Sequence, residues 1–274
     1  MKPRIQYAQI ADESRRAVVQ WVSLGVAALT LLVWLALAGP AVSAELASEL
    51  QPNLEALPAD EFRLETDTGG RTYLRFSTTT WNSGLGPLEL VAGEKDAAKQ
   101  NIYQRIHLDD GSYYDRLAGT FVWHAEHGHF HFEDYALYTL QAANAPGASE
   151  RTSSKTTFCV IDTDRINHRL PGAPKRSVYR TCSSEIQGMS VGWGDTYRYY
   201  LAGQAIDVTD LPDGDYELTI EVDPKKRLLE TNEADNTSTM LLRISVSDGT
   251  VGVLGGDGSG PGNGNGQGAG RGPR

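Results

Sequence analysis

The sequence predicts an all-β protein, an antiparallel β-sandwich with long loops, preceded by one N-terminal hydrophobic helix. Beyond residue 60 the chain runs in short β-branched and aromatic stretches, cut by Gly, Asp, Asn and Pro turns at roughly 8–12-residue intervals. After the N-terminal segment no apolar stripe of helical period lasts three turns. A 40% apolar and 22% charged composition is that of a folding chain, not of a disordered one. At 274 residues there is room for one large domain or two small ones.

The N-terminal helix comes first. Arg15 and Arg16 precede an apolar run from Ala17 to Ala38, interrupted by Gln20, Ser23 and Thr30 and followed by Ala41-Val42-Ser43-Ala44. A basic front and a small-residue exit fit a secretory signal over residues 1–44, cleaved after Ala44. The run is also long enough to span a bilayer, so an uncleaved membrane anchor through residues 17–38 stays open. Both readings place the remaining chain outside the cytoplasm, secreted or anchored to the cell membrane. In that oxidising space Cys159 and Cys182 are expected to form a disulfide, and their separation of 23 excludes a CxxC site.

Residues 45–60 read as a linker into a domain that extends to residue 247. RTYLRFSTTTWN (71–82) alternates as a strand, and Ser83-Gly84-Leu85-Gly86-Pro87 turns into the next run at Leu88. GTFVWHAEHGHFHFEDYALYTL (119–140) is the longest strand-like stretch. Leu211-Pro212-Asp213-Gly214-Asp215 turns into YELTIEVD, and TSTMLLRISV (237–246) is the last strand expected. Twelve of the 29 glycines follow Ser247, so residues 248–274 read as a Gly-rich disordered tail with little to bury.

Charge narrows the partners. The chain carries 25 Lys and Arg against 35 Asp and Glu, a formal net charge of −10. Its first twenty residues hold four basic and two acidic groups, so the remainder is more acidic still. Such a surface repels phosphate backbones, which excludes nucleic acid, and attracts cations such as amines.

Four of the six histidines fall within eight residues: His124, His127, His129 and His131. On one strand the last three share a face and His124 points the other way. Three imidazoles on one face suit a divalent transition metal, the plainer alternative being a solvated histidine-rich strand. A straight strand places residues i and i+4 about 13 Å apart, too far for one ion, so the chain must bend. Gly128 permits such a bend. These histidines give a site but no reaction.

The segment Trp123-His124-Ala125-Glu126-His127-Gly128-His129-Phe130-His131, with Asp134 following, resembles the copper-binding motif of the lysyl oxidase family. The resemblance continues in order through Tyr73–Gly84, Lys155-Thr156-Thr157-Phe158-Cys159, Gln187–Ser190, Gly192–Tyr197, Ile206–Asp210, Gly214–Tyr216 and Glu230–Asn236, covering roughly residues 50–246. The chain is identified as a lysyl oxidase-like protein of microbial type.

The resemblance implies a copper-dependent amine oxidase. It would act on primary amines or lysine-containing proteins with O2, releasing an aldehyde, hydrogen peroxide and ammonia. His127, His129 and His131 match the copper ligands. Lys155 and Tyr197 match the residues that form the family's self-derived lysine tyrosylquinone, an electron sink that no ordinary side chain offers. Cys159 and Cys182 match one family disulfide, and the family's other cysteines are absent. Asn53, Glu230, Asn232, Asp235 and Asn236 are partial counterparts of its structural calcium site, although a plain Asn/Asp turn explains them nearly as well. Lys155 and Tyr197 stand 42 residues apart, several more than in the animal enzymes, and Leu137 replaces a histidine. The general base is therefore open between Asp134 and Asp195. Two other readings remain: a non-catalytic extracellular metal-binding β-sandwich module, and a zinc hydrolase, against which no H-E-x-x-H motif is present.

Overall fold

The computed structural model describes residues 47–96, 99–125, 128–145 and 150–257. These form seventeen strands and no α-helix: β1 Glu49–Leu50, β2 Leu54–Ala56, β3 Asp60–Thr66, β4 Thr72–Asn82, β5 Leu88–Asp96, β6 Lys99–Leu108, β7 Tyr113–His124, β8 His129–Phe132 and β9 Ala136–Ala142. The second half adds β10 Arg151–Thr152, β11 Asp164–Arg165, β12 Ile186–Met189, β13 Trp193–Tyr197, β14 Ala205–Asp207, β15 Gly214–Val222, β16 Thr237–Ser245 and β17 Thr250–Asp257. The expected N-terminal helix and membrane segment, residues 17–38, lie outside the described residues. Among the described residues no helix is long and apolar enough to cross a membrane.

The strands form three antiparallel sheets. The first runs β12-β5-β6-β7-β8 with β1 added to β6, the second β10-β9-β15-β16-β17, and the third β11-β13-β4-β14 with β2 and β3 also on β4. Period-two patterning decides which faces turn inward. Along β4, Leu74 and Phe76 are fully buried while the intervening Tyr73 and Arg75 are not. Tyr216, Leu218, Ile220 and Val222 do the same on β15. All three sheets contribute to one hydrophobic cluster, including Leu90 and Phe121, Tyr138 and Leu218, and Leu74 and Phe76.

Three expectations are corrected. Within the expected linker 45–60, the described residues 47–60 are not loose, because Leu54 and Ala56 are fully buried and β2 pairs with β4. The expected tail from residue 248 begins as β17, which pairs with β16 from Ser245↔Thr250 to Thr239↔Asp257. The edge of β16 supplies backbone partners that glycine-rich composition does not forbid, and Val251 packs on the core. Finally, the stretch 119–140 is three strands. Positive φ at Gly128 (68°) and Asp134 (57°) turns the chain twice within it.

Candidate functional site

That double turn decides the histidine geometry. β7 and β8 pair as Val122↔His131 and His124↔His129. Cross-strand partners share a face, so His124 joins His129 and His131 rather than opposing them. The His124 ring stacks on that of His131, centroids 4.8 Å apart and 30° between planes. This corrects the single-strand assignment, in which parity alone sent His124 to the other side. His127 lies outside the described residues. His129 Nε2 and His131 Nε2 stand 2.9 Å apart, and Thr157 Oγ1 lies 3.3 Å from His131 Nδ1. Two imidazole nitrogens at that spacing fit adjacent ligands of one ion with bonds of about 2.0–2.1 Å, and a hydroxyl on the far ring nitrogen fits the outer support of a ligand. Among the described residues no group of three or more His, Cys, Asp or Glu side chains is assembled around a metal position.

The segment carrying Lys155 has little regular structure and is held by its neighbours. Phe132 and Phe158 exchange backbone hydrogen bonds of 2.7 and 3.1 Å, and Tyr135 N–H donates to Thr156 O at 2.9 Å. Lys155 is thereby pressed inward until only 9% of it is exposed. Its ammonium nitrogen lies 4.6 Å from the Tyr197 ring centroid and donates to Ala202 O at 3.3 Å. Gly203 makes room for it: a Cβ there would meet Lys155 Cδ at 2.9 Å, and its φ of +76° suits glycine.

Tyr197 ends β13, and Asp195 shares its face two residues earlier. The Tyr197 hydroxyl donates to Cys159 O at 2.7 Å and accepts from Cys159 N–H at 2.9 Å. Its ring meets Phe158 edge-on at 4.8 Å. Cys159 is bonded to Cys182, as expected. Lys155, Tyr197, Asp195, His129, His131 and both cysteines line one cavity of about 380 Å³.

Burial dominates the electrostatics. It lowers Lys155 from 10.5 to about 8, against the opposing pull of the Asp195 charge. It raises Asp195 well above the carboxylate range, since the opposing N–H of Ile161 is 3.4 Å away. Tyr197 is likewise raised by burial and then by Asp195. Burial in the cavity therefore shifts all three groups toward their neutral forms.

The two candidate bases separate cleanly. Asp134 sits in the β8–β9 turn and pairs with Arg227 at 3.1 Å, whereas Asp195 lines the cavity. The expected calcium residues do come together, but as a hydrogen-bonded clip. Glu230 accepts from Leu54 N–H at 2.7 Å and from Asn236 Nδ2 at 2.6 Å. Asn53 Nδ2 donates to Asp235 at 2.9 Å, Asn53 Oδ1 accepts from Thr231, and Asn232 caps its own turn at Ala234 N–H. These bonds account for the cluster as a turn, while Asn236 Oδ1, buried without a hydrogen-bond partner, keeps an oxygen of the kind a calcium site uses. Sequence reasoning overlooked Thr157, Gly203 and the backbone of Cys159. Only the glycine carried a signal, as a lone Gly in a strand-poor loop.

With this geometry in place, comparison with known proteins gives a family. The lysyl oxidase family model matches residues 114–252, just over half of the chain. Lysyl oxidase homolog 3B of Danio rerio is 36% identical over 169 residues, covering 61% of this chain and 17% of that protein. Lysyl oxidase homolog 1 of Homo sapiens is 35% identical over 123 residues, 44% of this chain and 20% of that protein. Lysyl oxidase homolog 4 of Mus musculus is 28% identical over 169 residues, 61% and 18%. These relatives are animal proteins, and the chain spans a fifth or less of their length. The matched region runs from β7 past the histidine hairpin, Lys155 and Tyr197 into β17, and by it the chain belongs to the lysyl oxidase family.

Proposed function

We propose that the chain is a secreted or membrane-tethered copper-dependent amine oxidase, converting primary amines, O2 and water to aldehydes, hydrogen peroxide and ammonia. Its cofactor would be a lysine tyrosylquinone made from Lys155 and Tyr197. The observation that carries this reading is the 4.6 Å approach of a buried lysine nitrogen to a tyrosine ring, in one cavity with two converging histidines. Copper would be held by His127, His129 and His131; with O2 it supplies oxidation of the phenol, and the finished quinone supplies the electron sink for amine oxidation.

The chain's own residues do the rest. Burial keeps the Lys155 nitrogen deprotonated enough to act as a nucleophile toward the ring. Both polar groups of the Cys159 backbone fix the Tyr197 hydroxyl, and Phe158 fixes the ring plane. Asp195 is the proton-holding group on the cavity wall, since burial raises its pKa and so favours its protonated form. The shared core of the three sheets supports a sandwich arrangement, and the basic-then-apolar N-terminus supports export, with residues 17–38 as signal or anchor.

The test is aerobic loading with copper. The expected result is a covalent Lys155–Tyr197 peptide, a visible absorption band, and peroxide release with a simple primary amine. Lys155→Ala and Tyr197→Phe are each expected to abolish the band while retaining copper. Copper-loaded, aerated protein with both residues unmodified and no peroxide would leave a non-catalytic metal-binding module.

A further inference from the structure

A primary amine has two ends, the nitrogen that reacts and the tail that the wall must accept. Away from the reacting groups, the cavity is walled by Ile161, Leu201, Ala202 and the Cys159–Cys182 disulfide, with the uncharged Thr163 and Thr196 beside them. Among the described lining residues the only acidic side chain is Asp195. It is 3% exposed and sits two residues before Tyr197, at the reacting end. The neighbouring acidic groups are engaged elsewhere: Arg198 pairs with Glu61 at 3.6 Å and with Asp164 at 3.7 Å.

Leu201 is the lip of the cavity, since it both lines it and keeps 37% of its surface exposed. Its backbone is pinned on both sides. Leu201 N–H donates to Arg198 O at 2.9 Å, and Leu201 O accepts from Gln204 N–H at 3.1 Å and Arg75 Nη1 at 3.4 Å. A side chain held there meets whatever follows the amine by a few methylenes.

We infer that this cavity selects primary monoamines with an uncharged apolar tail over diamines, and that Leu201 sets the preference. Among the described residues the wall offers a second ammonium no counter-charge away from the reacting end, whereas a methyl group of the same size meets apolar partners. The long-range field of an acidic chain draws both amines in, so contact with the wall makes the distinction. The inference rests on the amine-oxidase reading for its catalytic meaning, but not for its test.

The experiment compares pentylamine with 1,4-diaminobutane, which differ by a terminal methyl in place of an ammonium. Binding is measured by calorimetry on the copper-free chain at high salt, and kcat/KM on the copper-loaded chain. Pentylamine is expected to bind tighter by about ten-fold or more, the scale of discrimination a pocket achieves by leaving a polar group unpaired. Leu201→Glu should shrink that ratio by about ten-fold and Leu201→Met should keep it. Equal or tighter diamine binding, binding of neither amine, or an unchanged ratio in Leu201→Glu overturns the inference. The two claims fail separately: if the copper-loaded, aerated chain releases no peroxide with pentylamine or any other primary amine tried, the oxidase reading falls while the calorimetric ranking still judges the wall.

Discussion

Lys155 and Tyr197 show how far burial alone can prepare a residue for chemistry. An exposed lysine would be protonated at any physiological pH, but desolvation brings Lys155 to about 8. Formation of the link to Tyr197 should therefore rise with pH through a midpoint near 8 and reach its plateau about a unit higher, whereas an ordinary lysine would have its midpoint at 10.5. Asp195→Asn, which removes the charge that opposes this shift, should move the plateau lower. Mass spectrometry of the Lys155–Tyr197 peptide across pH 6–10 (roughly two units either side of the expected midpoint) would read both. Tyr197→Phe exposes a second property of the pair. It leaves the N–H and C=O of Cys159 without the hydroxyl that serves them, and should cost roughly 1–3 kcal/mol in a denaturant melt.

The β7–β8 hairpin and the 230–236 clip are the elements that set the site and the frame. Because the hairpin stacks His124 on His131, His124→Ala should weaken copper binding by roughly 10–100-fold, the usual penalty for losing a group that orients a ligand. Competition with a coloured chelator would measure it. In the clip, burial raises Glu230 from 4.5 to about 7. The folded chain then holds this proton more tightly than the unfolded one. The contribution of Glu230 is full below pH 4.5 and is lost as pH rises through about 7. Glu230→Gln should flatten the stability profile in that window, as followed by urea midpoints.

At the scale of the molecule, net charge and sheet closure govern. With a formal charge of −10, association with cationic amines should slow as salt screens the field, so kcat/KM should fall with ionic strength while kcat holds. Truncation after Ser247 would strip β17 from β16 and open the edge of the second sheet, and should lower the melting temperature measurably.

The sequence by itself determined the all-β class, the disulfide pair and the residues worth watching, because period-two patterning, two cysteines and a cluster of imidazoles are local properties of the chain. It could place His129 and His131 together, since they are two apart on one strand. Only the tertiary structure decided what joined them. A turn of positive φ at Gly128 converted parity along one strand into pairing across two, and so brought His124 to the shared face. The same holds for Lys155 and Tyr197, 42 residues apart, whose meeting depends on the Phe132–Phe158 bridge and the room at Gly203. The oxygen-rich loop at 230–236 is legible by residue type, but its bonds to Leu54 N–H and Asn53 Nδ2 depend on a segment far away in the chain. Residue type is written in the chain, but a partner's position depends on which distant backbone folds against it.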